Sequence, residues 1–112
     1  MVRDAMRDAE GWFTCRIGFV ETVRAVGLAA GLEAIQAVRE EWSAFGIFEV
    51  DQSLVEHAAR LAIERDLRGL DSIHLAAALL LPVQELVFAT WDSRLQAAAR
   101  AEGLRVLPSR IP

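Results

Sequence analysis

Leu86-Val87-Phe88-Ala89-Thr90-Trp91-Asp92-Ser93-Arg94-Leu95 runs from an apolar stretch, through one acidic residue, into a helical pattern. Residues 86–90 read as a short buried strand. Asp92 then opens an amphipathic helix through Leu95, Ala98 and Ala99, which Gly103 ends, and Leu104 to Leu107 forms a closing strand. A strand–helix–strand order requires a crossover, which implies parallel strands with helices on the sheet faces. Ligands of such sheets bind beyond the carboxyl ends of the strands, and Asp92 lies there. The fold class expected is α/β.

The same alternation extends upstream. Trp12 to Ile17 reads as a strand, followed by a helix from about Gly18 to Ala30 with Phe19, Val20, Val23, Val26 and Gly27 on one face. Gly31 interrupts, and a second helix runs from Leu32 to about Ala44, closing before Gly46. Ile47 to Val50 is a short buried strand. Ser53 and Glu56 have the spacing of a capping box. The helix they open turns Leu54, Ala58, Leu61 and Ala62 inward and lets Glu56 pair with Arg60 on its wet side. After a turn at Leu67 to Leu70, a helix from Asp71 to Leu81 is apolar nearly all round, hence buried, and Pro82 stops it.

The chain has 112 residues, the size of one domain, and 54% of them are hydrophobic and 25% charged, as in a folded soluble protein. Twelve basic residues against 16 acidic ones give −4, which argues against holding nucleic acid by bulk charge but leaves room for a cation-mediated grip. Cys15, the one cysteine, excludes an internal disulfide and reads as a buried inert thiol. Met1 to Glu10 lacks an apolar signal core, and the longest uncharged run, Ser72 to Gln84, is too short for a membrane span. A cytoplasmic protein is expected.

The candidates for chemistry are Glu21, Asp71 and Asp92. Carboxylates converging from separate elements would select Mg²⁺ or Mn²⁺ over softer metals. Such an ion can bridge a phosphodiester and a water and offset charge building on phosphate oxygens. Each acid also has a plainer explanation: Asp71 and Asp92 stand where N-caps stand, and Glu21 where a solvated acid would. Spacing alone does not choose between them.

Taken together, Phe19-Val20-Glu21, Leu70-Asp71-Ser72-Ile73-His74-Leu75-Ala76-Ala77-Ala78 and Phe88-Ala89-Thr90-Trp91-Asp92-Ser93-Arg94-Leu95 resemble the PIN domain, most closely the VapC-type toxins of toxin–antitoxin pairs. The resemblance implies a three-layer α/β/α domain that cuts RNA with Mg²⁺ or Mn²⁺ held by four acids. Glu21, Asp71 and Asp92 would be three of these, with the Thr90 hydroxyl close behind the ion. It also implies a cognate antitoxin and a second copy as partners. The fourth acid of the family ends a central first strand. Here the chain opens in what resembles the tail of the following helix, Val2 to Ala9, where Asp4 and Asp8 are not substitutes. A start site placed downstream of the true one, or a truncated gene, is the expected reason.

His74, three residues after Asp71, falls on a neighbouring helix face within reach of the site, and reads first as a packed or hydrogen-bonded structural histidine. His57 reads as partly exposed. Arg68 and Arg94 are expected to flank the acids, and Trp91 is the one tryptophan beside them; Trp12 and Trp42 are too scattered for a base-stacking platform. Three readings remain: a metal-dependent endoribonuclease, a defective remnant that only binds proteins, and a plain α/β domain whose acids are caps.

Overall fold

The computed structural model describes residues 5, 7, 9, 11–82 and 85–109. The elements follow in the order β1 (Trp12–Cys15), α1 (Ile17–Ala30), α2 (Leu32–Trp42), β2 (Phe45–Phe48), α3 (Gln52–Glu64), α4 (Gly69–Leu80), β3 (Val87–Ala89), α5 (Ser93–Ala101) and β4 (Arg105–Leu107). This is the expected α/β alternation. The Asp4 and Asp8 positions and most of the Val2 to Ala9 stretch lie outside the described residues. Within it, Ala5 and Arg7 are helical, and the Ala9 N–H donates to the Ala5 carbonyl at 3.0 Å.

The strands form two parallel pairs. β1 runs beside β2, with Trp12 opposite Phe45 and Cys15 opposite Phe48, and β3 runs beside β4, with Val87 opposite Arg105. Among the described residues no strand joins β1 to β3, so the sheet is in two halves. Both edges of each half, among the described residues, lack a ladder partner, which leaves the strand residues less covered. Phe13 in β1 is 45% exposed and Val87 in β3 is 38% exposed, so the strand expected to be buried at 86–90 is only partly covered.

The centre is helical. Leu54 and Leu61 of α3 and Leu75 of α4 are fully buried, and Ala58, Leu67, Ala76, Ala77, Leu95, Ala98, Ala99 and Cys15 pack around them. The leucines supply most of the apolar area buried here. Arg65, capping the end of α3, reaches Glu102 at the end of α5 through Nε and Nη2, at 2.8 and 2.6 Å. On the β1–β2 side an aromatic group replaces the aliphatic core: Trp12–Phe45, Trp42–Phe45 and Phe19–Trp42 have ring centroids 5.6, 5.3 and 5.2 Å apart.

Several local expectations shift. Ile17 starts α1 instead of ending β1, and Val20 is exposed, because the inward face of α1 turns on Gly18 and not on the whole valine stripe. Gly46 does not follow a helix end: it lies inside β2 opposite Phe13, whose ring carbon Cδ1 would stand 2.7 Å from any Cβ there. α3 is capped by Asp51, not Ser53. The Asp51 carboxylate accepts the Leu54 N–H at 2.9 Å, so the helix starts one residue before Ser53. Glu56 therefore takes a bond from Gln52, and Arg60 lies 3.9 Å from Glu64.

Candidate functional site

Three elements bring the candidate acids to one place. α1 carries Glu21 in its second turn, α4 carries Asp71 in its first turn, and Asp92 precedes α5. All three line one concavity of about 530 Å³, together with Arg68, Gly69, Leu70 and Ile73. Sequence spacing offered no such meeting, since Glu21 and Asp71 belong to different helices.

The capping explanation divides between the two aspartates. Asp92 is a true N-cap: its Oδ1 accepts the Leu95 N–H at 2.8 Å. Its own N–H donates to the Thr90 hydroxyl at 3.1 Å, and the Thr90 N–H donates to the Leu107 carbonyl at 3.0 Å. Thr90 thus fixes the turn at the end of β3 that presents Asp92. Asp71 is not a cap. α4 begins at Gly69, two residues before the expected start, with Arg68 in the cap position and no side-chain bond to the helix end. The Asp71 carboxylate is left for the concavity, and the Ser72 hydroxyl donates to the Gly69 carbonyl at 2.7 Å, tightening the same turn.

The charge balance shows in Asp71. Partial burial, then the negative charge of Asp92, and less strongly that of Glu21, push its carboxyl above the ordinary value of 3.8; His74 and Arg68 pull the other way. Burial makes the ionised form costly, and two like charges nearby add to the cost. An all-oxygen, acid-rich donor set with this unbalanced charge fits a hard divalent cation in chemistry and sign. As the side chains stand, however, no three His, Cys, Asp or Glu groups among the described residues converge closely enough to hold an ion. Glu21 is turned to a partner of its own, Nε2 of His74, so His74 is a hydrogen-bonded histidine whose bond reaches an acid of the site.

The cations separate. Arg68 lines the concavity. Arg94 does not, contrary to expectation: it lies by a second concavity with Glu64, Arg65 and Asp66, and its Nη1 is 3.6 Å from the Asp66 carboxylate. One step of α5 past Arg94 faces inward, whereas Arg94 itself points out toward the end of α3. Trp91 stands 60% exposed beside Asp92. Sequence reading missed Gln96, buried on α5, whose amide donates to the Pro108 carbonyl at 2.6 Å and so ties the helix to the end of β4. Its signal was present: it follows Asp92 by four residues, beside the inward Leu95 and Ala99.

The family described as PIN domain matches residues 2–101. Over 70 residues, 62% of this chain, the sequence is 41% identical to Ribonuclease VapC45 of Mycobacterium tuberculosis strain CDC 1551 / Oshkosh and to Ribonuclease VapC49 of strain ATCC 25618 / H37Rv. The match takes in 49% of each of those proteins, so the chain spans about half the length of the curated relatives it matches. No solved structure gives a significant match. Among the described residues no helix is long and apolar enough to cross a membrane.

Proposed function

Because this chain belongs to the PIN domain family, we propose that it acts as a Mg²⁺- or Mn²⁺-dependent endoribonuclease of the VapC toxin type, hydrolysing RNA phosphodiester bonds. The observation that carries this reading is the gathering of Glu21, Asp71 and Asp92, from three separate elements, around one concavity. These three would hold the ion. When bound, it would supply positive charge against the phosphate and make a water more acidic.

The chain's own groups do the rest. Asp92 is held by Thr90 and by its cap bond to Leu95, which fixes one oxygen and leaves the other for the site. Asp71 is carried on the first turn of α4, directly before the buried Ser72 that begins the packed part of that helix. Arg68, the cation lining the same opening, is suited to a phosphate oxygen of the RNA backbone. The partners that go with this reading are RNA, an antitoxin segment covering the concavity, and a second copy of the chain.

The divided sheet favours a second reading, a catalytically defective domain that keeps only its protein-binding role. Thermal unfolding with and without Mn²⁺, followed by an RNA cleavage assay, separates the two. Under the main reading, Mn²⁺ raises the melting temperature of the wild type but not of Asp71→Asn or Asp92→Asn, and cleavage is lost in the same variants. Mn²⁺ stabilisation without cleavage, in this chain and in a form extended upstream, would leave the binding-only reading. No response to metal and no cleavage would return the acids to plain structural roles.

A further inference from the structure

His74 and Glu21 are 53 residues apart, yet the imidazole Nε2 bonds the Glu21 carboxylate at Oε1 across the α1–α4 contact. Their surroundings differ. Glu21 lines the concavity, whereas His74 does not. The His74 side chain is 23% exposed and that of Glu21 44%, so the ring lies on the protein side of the carboxylate. His74 follows Asp71 by three residues, which sets both on one side of α4. One helix therefore supplies an acid of the site and the group that holds a second acid.

The ring is itself confined. Gly18, at the start of α1, is buried, and a Cβ there would come to 3.8 Å from Cε1 of His74. The turn from β1 into α1 thus lies within van der Waals reach of the imidazole, while the group a Cβ at Gly18 would collide with is the Thr14 hydroxyl.

We propose that His74 is a positioning residue for Glu21: it holds Oε1 from behind and leaves Oε2 to a divalent cation in the concavity. This rests on the metal-site reading above. A glutamate has three side-chain torsions to fix before it can ligate, and a hydrogen bond to its second oxygen fixes them in advance. Either neutral imidazole with its proton on Nε2 or imidazolium can donate this bond, so the role does not depend on a change of charge. Such outer hydrogen bonds to metal-binding groups are worth about 10–100-fold in metal affinity.

The test is a calorimetric Mn²⁺ titration of the full chain as wild type, His74→Gln, His74→Leu and Asp71→Asn. Glutamine carries an amide nitrogen near the place of Nε2, and leucine fills the volume without a donor. Mn²⁺ affinity should fall by about 10–100-fold in His74→Leu and return to near the wild-type value in His74→Gln. Equal losses in both variants, or binding in His74→Leu as tight as in the wild type, would overturn the proposal. A wild type that binds no more Mn²⁺ than Asp71→Asn would sink the metal-site reading and this inference with it. Should His74→Leu fail to fold, ¹⁵N-resolved spectra of the imidazole during a Mg²⁺ titration decide the matter. An Nε2–H signal that survives saturation supports positioning, and its loss as the ion binds shows that ring and ion compete for Glu21.

Discussion

Asp71 stands where burial and two neighbouring carboxylates oppose its ionisation, so its carboxyl titrates above the ordinary 3.8 in the folded chain. In the unfolded chain it returns to that ordinary value. A carboxyl raised by folding contributes stability that is fully present below the unfolded value and is lost as pH rises through the folded one. At neutral pH the ionised group therefore weakens the metal-free fold. Asp71→Asn, which removes the charge and keeps the shape, should melt higher than the wild type at pH 7, with the difference shrinking toward pH 4. Melting curves without added metal at the two pH values check this; a difference that does not change with pH would contradict it. The same variant should lose stabilisation by Mn²⁺, so metal reverses the order of the two proteins.

The helices show how local chemistry competes for a start. Asp51 and Ser53 are both good N-cap residues. Asp51 prevails because its carboxylate reaches the Leu54 N–H at 2.9 Å, and the helix then begins at Gln52 with Leu54, Ala58 and Leu61 turned into the core. Asp51→Ala should accordingly cost about 1 kcal/mol of stability, while Ser53→Ala should cost almost nothing, as read by urea unfolding. Equal costs, or a larger one at Ser53, would restore the capping box that the sequence spacing predicts. At α4 the start moves by two residues for a different reason. Leucines and alanines that must face inward set the phase of the helix, and Gly69 and Leu70 join it with no side-chain cap.

Burial is unevenly spread through the fold. Among the described residues the sheet is in two parts, and large apolar groups such as Leu28, Leu32 and Ile63 are exposed. α2 has no buried residue and α1 has only Gly18, whereas α3, α4 and α5 hold nearly all of the core. Native-state hydrogen exchange should follow this division, with amides of α3 and α4 the most protected and those of α2 exchanging at least about 10-fold faster. Protection of α2 equal to that of α4 would show that the aromatic group around Trp42 anchors this side as firmly as the leucine core does the other.

Much of this was open to reading from residue order. The alternation of elements, the Asp92 turn and the buried run of α4 rest on contacts within a few residues, where periodicity and capping chemistry act directly. Asp92 shows this best: strand, Thr90 support and cap bond all fall between residues 87 and 95. The separation of Asp71 from a capping role, the removal of Arg94 to another concavity and the bond between Glu21 and His74 were not legible. Each depends on how one helix is rotated against another, and that rotation is set by the summed packing of leucines and alanines far along the chain. Chemistry-bearing residue types could be named from the sequence; which of their atoms meet was decided by the core they surround.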